Sequence, residues 1–210
     1  MSIINENFYR LEGVVPLLKK MGDITQTSSP RRLWLRRFAL LENLNNYYRF
    51  SVSSVMLFQE SIQKSVNALS EDKKTDCFDD ESHSSAIAFY SHCRVCLESS
   101  RLLFEEAIFS SANDDHAKLL QQHRDNYVKW AREVIEKRND ITAHPHNVRK
   151  MIVGSPSSWG TNGKVTFNII DLEHITIPEK VYELDPAEDL LTLKKYTEEA
   201  VSHLRLIWGI

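Results

Sequence analysis

The residues with the most evident chemistry stand together: Lys137-Arg138-Asn139-Asp140-Ile141-Thr142-Ala143-His144-Pro145-His146. An arginine is a permanent cation whose planar fork matches phosphate, and a histidine titrates near neutrality. Together they can hold an anion or move a proton. The stretch closes a long amphipathic pattern, because Leu120, Tyr127, Ala131 and Val134 recur at helical spacings. Continued, that ladder reaches Arg138 and Ile141, so Arg138 falls on the apolar stripe. An uncompensated charge buried there costs several kcal/mol, so the arginine must be paired, reach into a groove or lie at a subunit contact. Pro145 disfavours the α conformation at His144, which predicts that the helix ends at that histidine. The partial negative charge of a helix C-terminus favours the cationic form of both side chains.

Arg138-Asn139, four further residues and then His144, late in an α-helical chain, resemble the Arg-x(4–6)-His signature of the HEPN superfamily. Many HEPN proteins are metal-independent endoribonucleases, and many act as toxins or antiviral effectors. The resemblance covers residues 31–210 in helix order and residues 138–144 as a motif. It implies RNA as substrate, a homodimer with a composite site, no cofactor and no metal. Nucleotidyltransferase-type antitoxins accompany some HEPN toxins, so it also implies a possible cognate antitoxin. On this resemblance Arg138 holds the scissile phosphate, His144 is the general acid or base, and Asn139 orients the phosphate or the histidine. Lys137, His146, Arg149 and Lys150 are candidate contacts to the RNA backbone. Family members sometimes add an acid from an earlier helix, and Glu98 or Glu105 could serve.

Cleaving RNA without a metal requires one group to take the 2′-OH proton and another to protonate the 5′-oxygen leaving group. It also requires positive charge on the phosphorane. One arginine and one histidine are few for both transfers. A two-fold axis past the helix end would set two of each around one groove.

Composition frames this without deciding it. The chain has 210 residues, 42% hydrophobic and 26% charged, which suits one domain with a proper core. Residues 1–20 carry Glu6 and Glu12 and no apolar signal-like region, and no apolar run is long enough to span a membrane. Three cysteines without framework spacing fit a reducing cytoplasm. The net charge of −3 is no global sign of nucleic-acid binding, although residues 116–150 hold a local excess of Lys and Arg.

The elements that must position these residues read as an all-α antiparallel bundle of four to five helices. Residues 1–30, with Gly13, Pro16 and Gly22, read as a short helix or irregular arm followed by a loop. From Trp34 to Leu69 the apolar residues step in threes and fours, predicting one helix of about 36 residues. Arg31, Arg32, Arg36 and Arg37 at its start can contact nucleic acid, or simply begin an amphipathic helix with their charges in water. Residues 70–85 read as an acidic loop and 84–112 as a second helix, whose Cys93-x-x-Cys96 lies within the apolar pattern as core cysteines. Asn113 to Asp115 offer a cap and acidic first turn for the third. Residues 146–184 read as a loop with a small β-hairpin, from Val165–Ile169, Ile175–Ile177 and the turn signal Asn162-Gly163. Asp185-Pro186-Ala187-Glu188 starts the final helix, with Leu190, Leu193, Thr197, Val201, Leu204 and Trp208 inward.

Other functions remain compatible with these residues. Arg138 could bridge a carboxylate between helices, with His144 capping the helix end. A catalytically inactive HEPN-like module could bind RNA, a nucleotide or a protein partner through the same groove. A helical adaptor could dimerise through its long first helix. The scattered histidines show no metal-ligand spacing, and there is no phosphate-binding glycine loop or nucleophile elbow.

Overall fold

The apolar ladder that begins at Trp34 forms the longest element of the fold. A computed structural model describes residues 4–27, 31–70, 80–111, 113–141, 150–156, 165–171, 173 and 180–210. Within these, the helices are α1 (Val14–Thr27), α2 (Arg31–Ser70), α3 (Asp80–Ser110), α4 (Asp114–Ile141) and α5 (Pro186–Trp208). Strands β1 (Lys150–Pro156), β2 (Val165–Asp171) and β3 (Lys180–Leu184) intervene between α4 and α5. The architecture is an all-α bundle with a small antiparallel sheet inserted before the last helix.

Helices α2 and α3 form a long antiparallel pair. Arg36 on α2 meets Glu106 on α3, the Leu44 carbonyl accepts from the Cys96 thiol, and Ser54 meets His92. Leu41, Leu44, Tyr48, Val52, Val55, Phe58 and Ile62 of the predicted ladder are buried, as are Cys93 and Cys96. Burial raises both thiols well above their ordinary range, so they behave as core side chains.

The N-terminal segment takes the helical alternative rather than the irregular arm. A 3-10 turn at Glu6–Tyr9 leads into α1, whose Val14, Leu17 and Met21 are buried against the bundle. Pro16 lies in the first turn, where its missing N–H costs nothing. Gly22 brings the helix close to α2, since a Cβ there would already contact the Phe38 ring at 3.9 Å.

The insertion is one strand larger than the expected hairpin, with strand order β1-β2-β3. β1 runs antiparallel to β2 from Lys150 opposite Asp171 to Pro156 opposite Val165. β2 pairs with β3 from Val165 opposite Leu184 to Ile169 opposite Lys180. The expected strand at Ile175–Ile177 lies outside the described residues. Phe167 and Ile169 alternate onto the buried face of β2, and the His83 ring of α3 packs edge-on to Phe167. Helix α5 starts as predicted, with the Asp185 carboxylate accepting from the Glu188 N–H and Pro186 following the cap.

Between α4 and α5 sits an aromatic cluster centred on His123, which is only 4% exposed. Its ring stacks on Tyr196 at 5.1 Å, with Phe104, Tyr127 and His203 around it. Burial, reinforced by His203, lowers the His123 pKa to about 4, while Glu199 opposes the shift. Because the folded value lies below the unfolded one, the unfolded chain takes the proton first as pH falls. The stability that neutral His123 contributes is complete above about pH 6.5 and is lost progressively toward pH 4. His123→Phe, which keeps a stacking ring, is expected to flatten urea-midpoint profiles across that window. Identical profiles for variant and wild type would assign the titration to other groups.

Candidate functional site

Two polar clusters fix the end of α4. On the inner side, the Asp189 carboxylate of α5 accepts from three donors. These are the Tyr90 hydroxyl at 2.5 Å, the Trp130 indole N–H at 3.3 Å and the Lys137 ammonium at 3.5 Å. Lys137 also lies 5.9 Å from the Tyr90 ring centroid. Burial and the neighbouring carboxylate push the Tyr90 hydroxyl far above its usual pKa, so it remains a donor. Lys137, a candidate RNA contact by sequence, is thus turned inward and joins α4 to α3 and α5.

On the other side, Asp140 accepts from the Tyr182 hydroxyl at 2.5 Å and from Lys180 at 2.9 Å. Lys180 also reaches Glu136 at 3.2 Å. These bonds tie β3 to the last turn of α4. Burial, then the bond to Asp140, raises the Tyr182 pKa to about 12.

Arg138 lies between these anchors, half-buried between Val134 and Ile141 on the stripe, with its Nε shielded from solvent. Its Nη1 donates to the Asn139 side-chain oxygen at 3.2 Å. A second guanidinium reaches the same oxygen, with Arg94 Nη1 on α3 at 3.3 Å. Sequence reasoning missed Arg94, since an exposed arginine on a helix carries no sign of what faces it from another helix. Glu98 and Glu105 are both engaged by Arg101 on their own helix. Arg101 also holds the Glu98 pKa below the usual carboxylate range. The arrangement can receive an anion: two cations and an amide converge at the end of a half-buried helix.

His144, His146 and Arg149 lie outside the described residues. Lys150 opens β1. The arginines at the start of α2 divide: Arg36 pairs with Glu106 from an exposed position, whereas Arg37 is buried. The Arg37 guanidinium lies 4.7 Å from the Trp34 ring and 5.1 Å from the Trp208 ring, beside Glu106. It serves the packing of α2 against α5. Among the described residues, no group of three or more His, Cys, Asp or Glu is placed to hold a metal ion. Among them, too, no helix is long and apolar enough to cross a membrane.

The fold and site therefore define a helical-bundle protein with a cationic cluster where α4 ends. No protein-family model matches the chain, and no curated protein or solved structure matches it.

Proposed function

We propose that the chain is a metal-independent endoribonuclease of HEPN type, acting as a toxin or defence effector. The observation that carries this reading is the position of Arg138. It is half-buried in the last turn of α4, anchored by Asn139 and flanked by a second arginine, six residues before His144. A guanidinium held in this way is preorganised to stabilise charge that grows on a phosphorane.

In the proposed reaction the 2′-oxygen attacks the adjacent phosphorus and the bond to the 5′-oxygen breaks. The products are a 2′,3′-cyclic phosphate and a 5′-hydroxyl. One histidine takes the 2′-OH proton and the other supplies a proton to the 5′-oxygen, so the step balances without a metal. The two histidines are His144 and its copy across a homodimer axis. RNA backbone on either side would meet His146, Arg149 and Lys150. Lys137 holds the helix end in place through Asp189.

The test is cleavage of a mixed-sequence RNA in excess EDTA, with wild type beside His144→Ala. Each preparation is first checked for folding and dimer mass. Cleavage to 2′,3′-cyclic ends by the wild type, lost in the variant, is the expected result. Equal cleavage by both would place the activity elsewhere. No cleavage by two folded dimers would favour a catalytically inactive module that binds RNA, a nucleotide or a protein.

A further inference from the structure

Arg94 occupies an unusual position for an arginine in a chain with more acids than bases. It is exposed on α3, and among the described residues its one hydrogen bond is to the Asn139 oxygen, an uncharged acceptor 45 positions away. One carboxylate near it is Glu98, one helical turn further along α3. That group acts on Arg94 only through its field, while Arg101 holds both of its oxygens, Oε1 at 2.6 Å and Oε2 at 3.1 Å. Arg101 takes Glu105 as well. Glu98 and Glu105 thus hydrogen-bond to Arg101 and not to Arg94.

Two guanidiniums bonded to the same oxygen repel each other. Here the Asn139 oxygen accepts from both, and the negative end of the α4 dipole lies close by. With that oxygen turned to the arginines, the Asn139 amide has N–H groups left to donate. Three donors from two helices thus meet at one place: an exposed fork, a half-buried fork and an amide. A tetrahedral oxyanion with several acceptor oxygens matches this set better than a carboxylate does, since it can take a fork from each side.

We infer that Arg94, Arg138 and Asn139 form one phosphate-binding site built across α3 and α4, and that its ligand is a backbone phosphodiester of single-stranded RNA. The choice of RNA rests on the function proposed above; the anion site itself does not. In this site Arg138 and Asn139 supply the fixed part from α4. Arg94 supplies the solvent-facing part, which closes over the phosphate from α3. Its position makes it a binding residue that lies outside the Arg-to-His stretch and is contributed by another helix.

Two measurements on the full chain separate the site from its ligand. The first compares thermal unfolding in inorganic phosphate with unfolding in chloride at equal ionic strength, for wild type, Arg94→Ala, Arg94→Lys and Arg138→Ala. Phosphate should raise the wild-type Tm and leave Arg94→Ala and Arg138→Ala unchanged, with Arg94→Lys between. No rise in the wild type, or an equal rise in Arg94→Ala, would overturn the site. The second measures binding of a fluorescent 2′-O-methyl RNA, which cannot be cleaved through its 2′-oxygen. Arg94→Ala should bind about tenfold more weakly, with the slope of log K against log salt smaller by about 0.7. Phosphate stabilisation without RNA binding would overturn the RNA assignment and leave the anion site standing. RNA binding that survives Arg94→Ala unchanged would overturn the role of Arg94 in holding RNA. Cleavage of the unmodified RNA by the same preparations is followed in parallel, so a failed cleavage assay is not mistaken for a failed site.

Discussion

Replacing Asp189 with alanine is expected to destabilise the protein by about 3 kcal/mol, one of the largest single-residue effects in the fold. Its carboxylate satisfies the Tyr90 hydroxyl, the Trp130 N–H and the Lys137 ammonium at once. The Asp189 side chain is 14% exposed and that of Lys137 is 23% exposed, so water replaces the lost partners only in part. Removing the acid leaves three donors wanting, one of them charged, in a region that also joins three helices. Asp189→Asn retains an acceptor oxygen and should cost about half as much. Urea denaturation at pH 7 reads both values, with an unchanged m-value if the unfolded state is unaffected. A loss below about 1 kcal/mol in the alanine variant would mean that apolar packing alone sets the α3, α4 and α5 arrangement. The effect reaches the site, because Lys137 precedes Arg138 and fixes the rotation of the last turn of α4.

That hub shows where sequence reasoning succeeds and where it stops. Local periodicity reports which face of a helix is apolar, so the α2 ladder from Leu41 to Ile62 and the α5 stripe from Leu190 to Leu204 are buried as their spacing predicts. The Asp185-Pro186 cap was equally legible, since it depends on four adjacent residues. Arg138 on the stripe of α4 belongs to the same class of inference, and the structure places it between Val134 and Ile141 on that face. His123 escaped because a polar residue breaks an apolar ladder on paper, yet a neutral imidazole stacked on Tyr196 packs as an aromatic.

Features set by contacts distant in sequence were not legible. Asp189 reads as a first-turn acid of α5 until Tyr90, Trp130 and Lys137 are brought to it. Lys180 and Tyr182 look like ordinary strand residues until β3 lies beside Asp140. β1 carries the β-branched pair Ile152-Val153, but Gly154 and Pro156 within it read as breaks until it is paired along its length with β2. Arg94 needs α3 against α4. In α1, Pro16 and Gly22 mark breaks by composition, but a proline in the first turn and a glycine at a close helix approach are both compatible with helix.

Arg138→Ala should separate catalysis from folding most sharply. Under the proposed reaction it removes the donor fixed nearest the developing phosphorane charge, and loss of one such donor lowers a rate by about 10²–10³-fold. Its stability cost should be about 1 kcal/mol, because the side chain lost is half-buried and the Asp189 and Asp140 anchors on either side remain. Arg138→Lys keeps the charge and most of the stem but loses the planar fork. It should therefore recover stability and only a small part of the rate. Single-turnover cleavage in EDTA, with enzyme in excess over RNA, reads the chemical step directly, and urea denaturation of the same preparations reads the fold. Cleavage by folded Arg138→Ala within about threefold of wild type would remove this arginine from the reaction, since a preorganised donor at the phosphorane cannot be so nearly dispensable. A large rate loss that lysine repairs in full would instead leave Arg138 as a point charge, with the directional phosphate bonds supplied by Asn139 and Arg94.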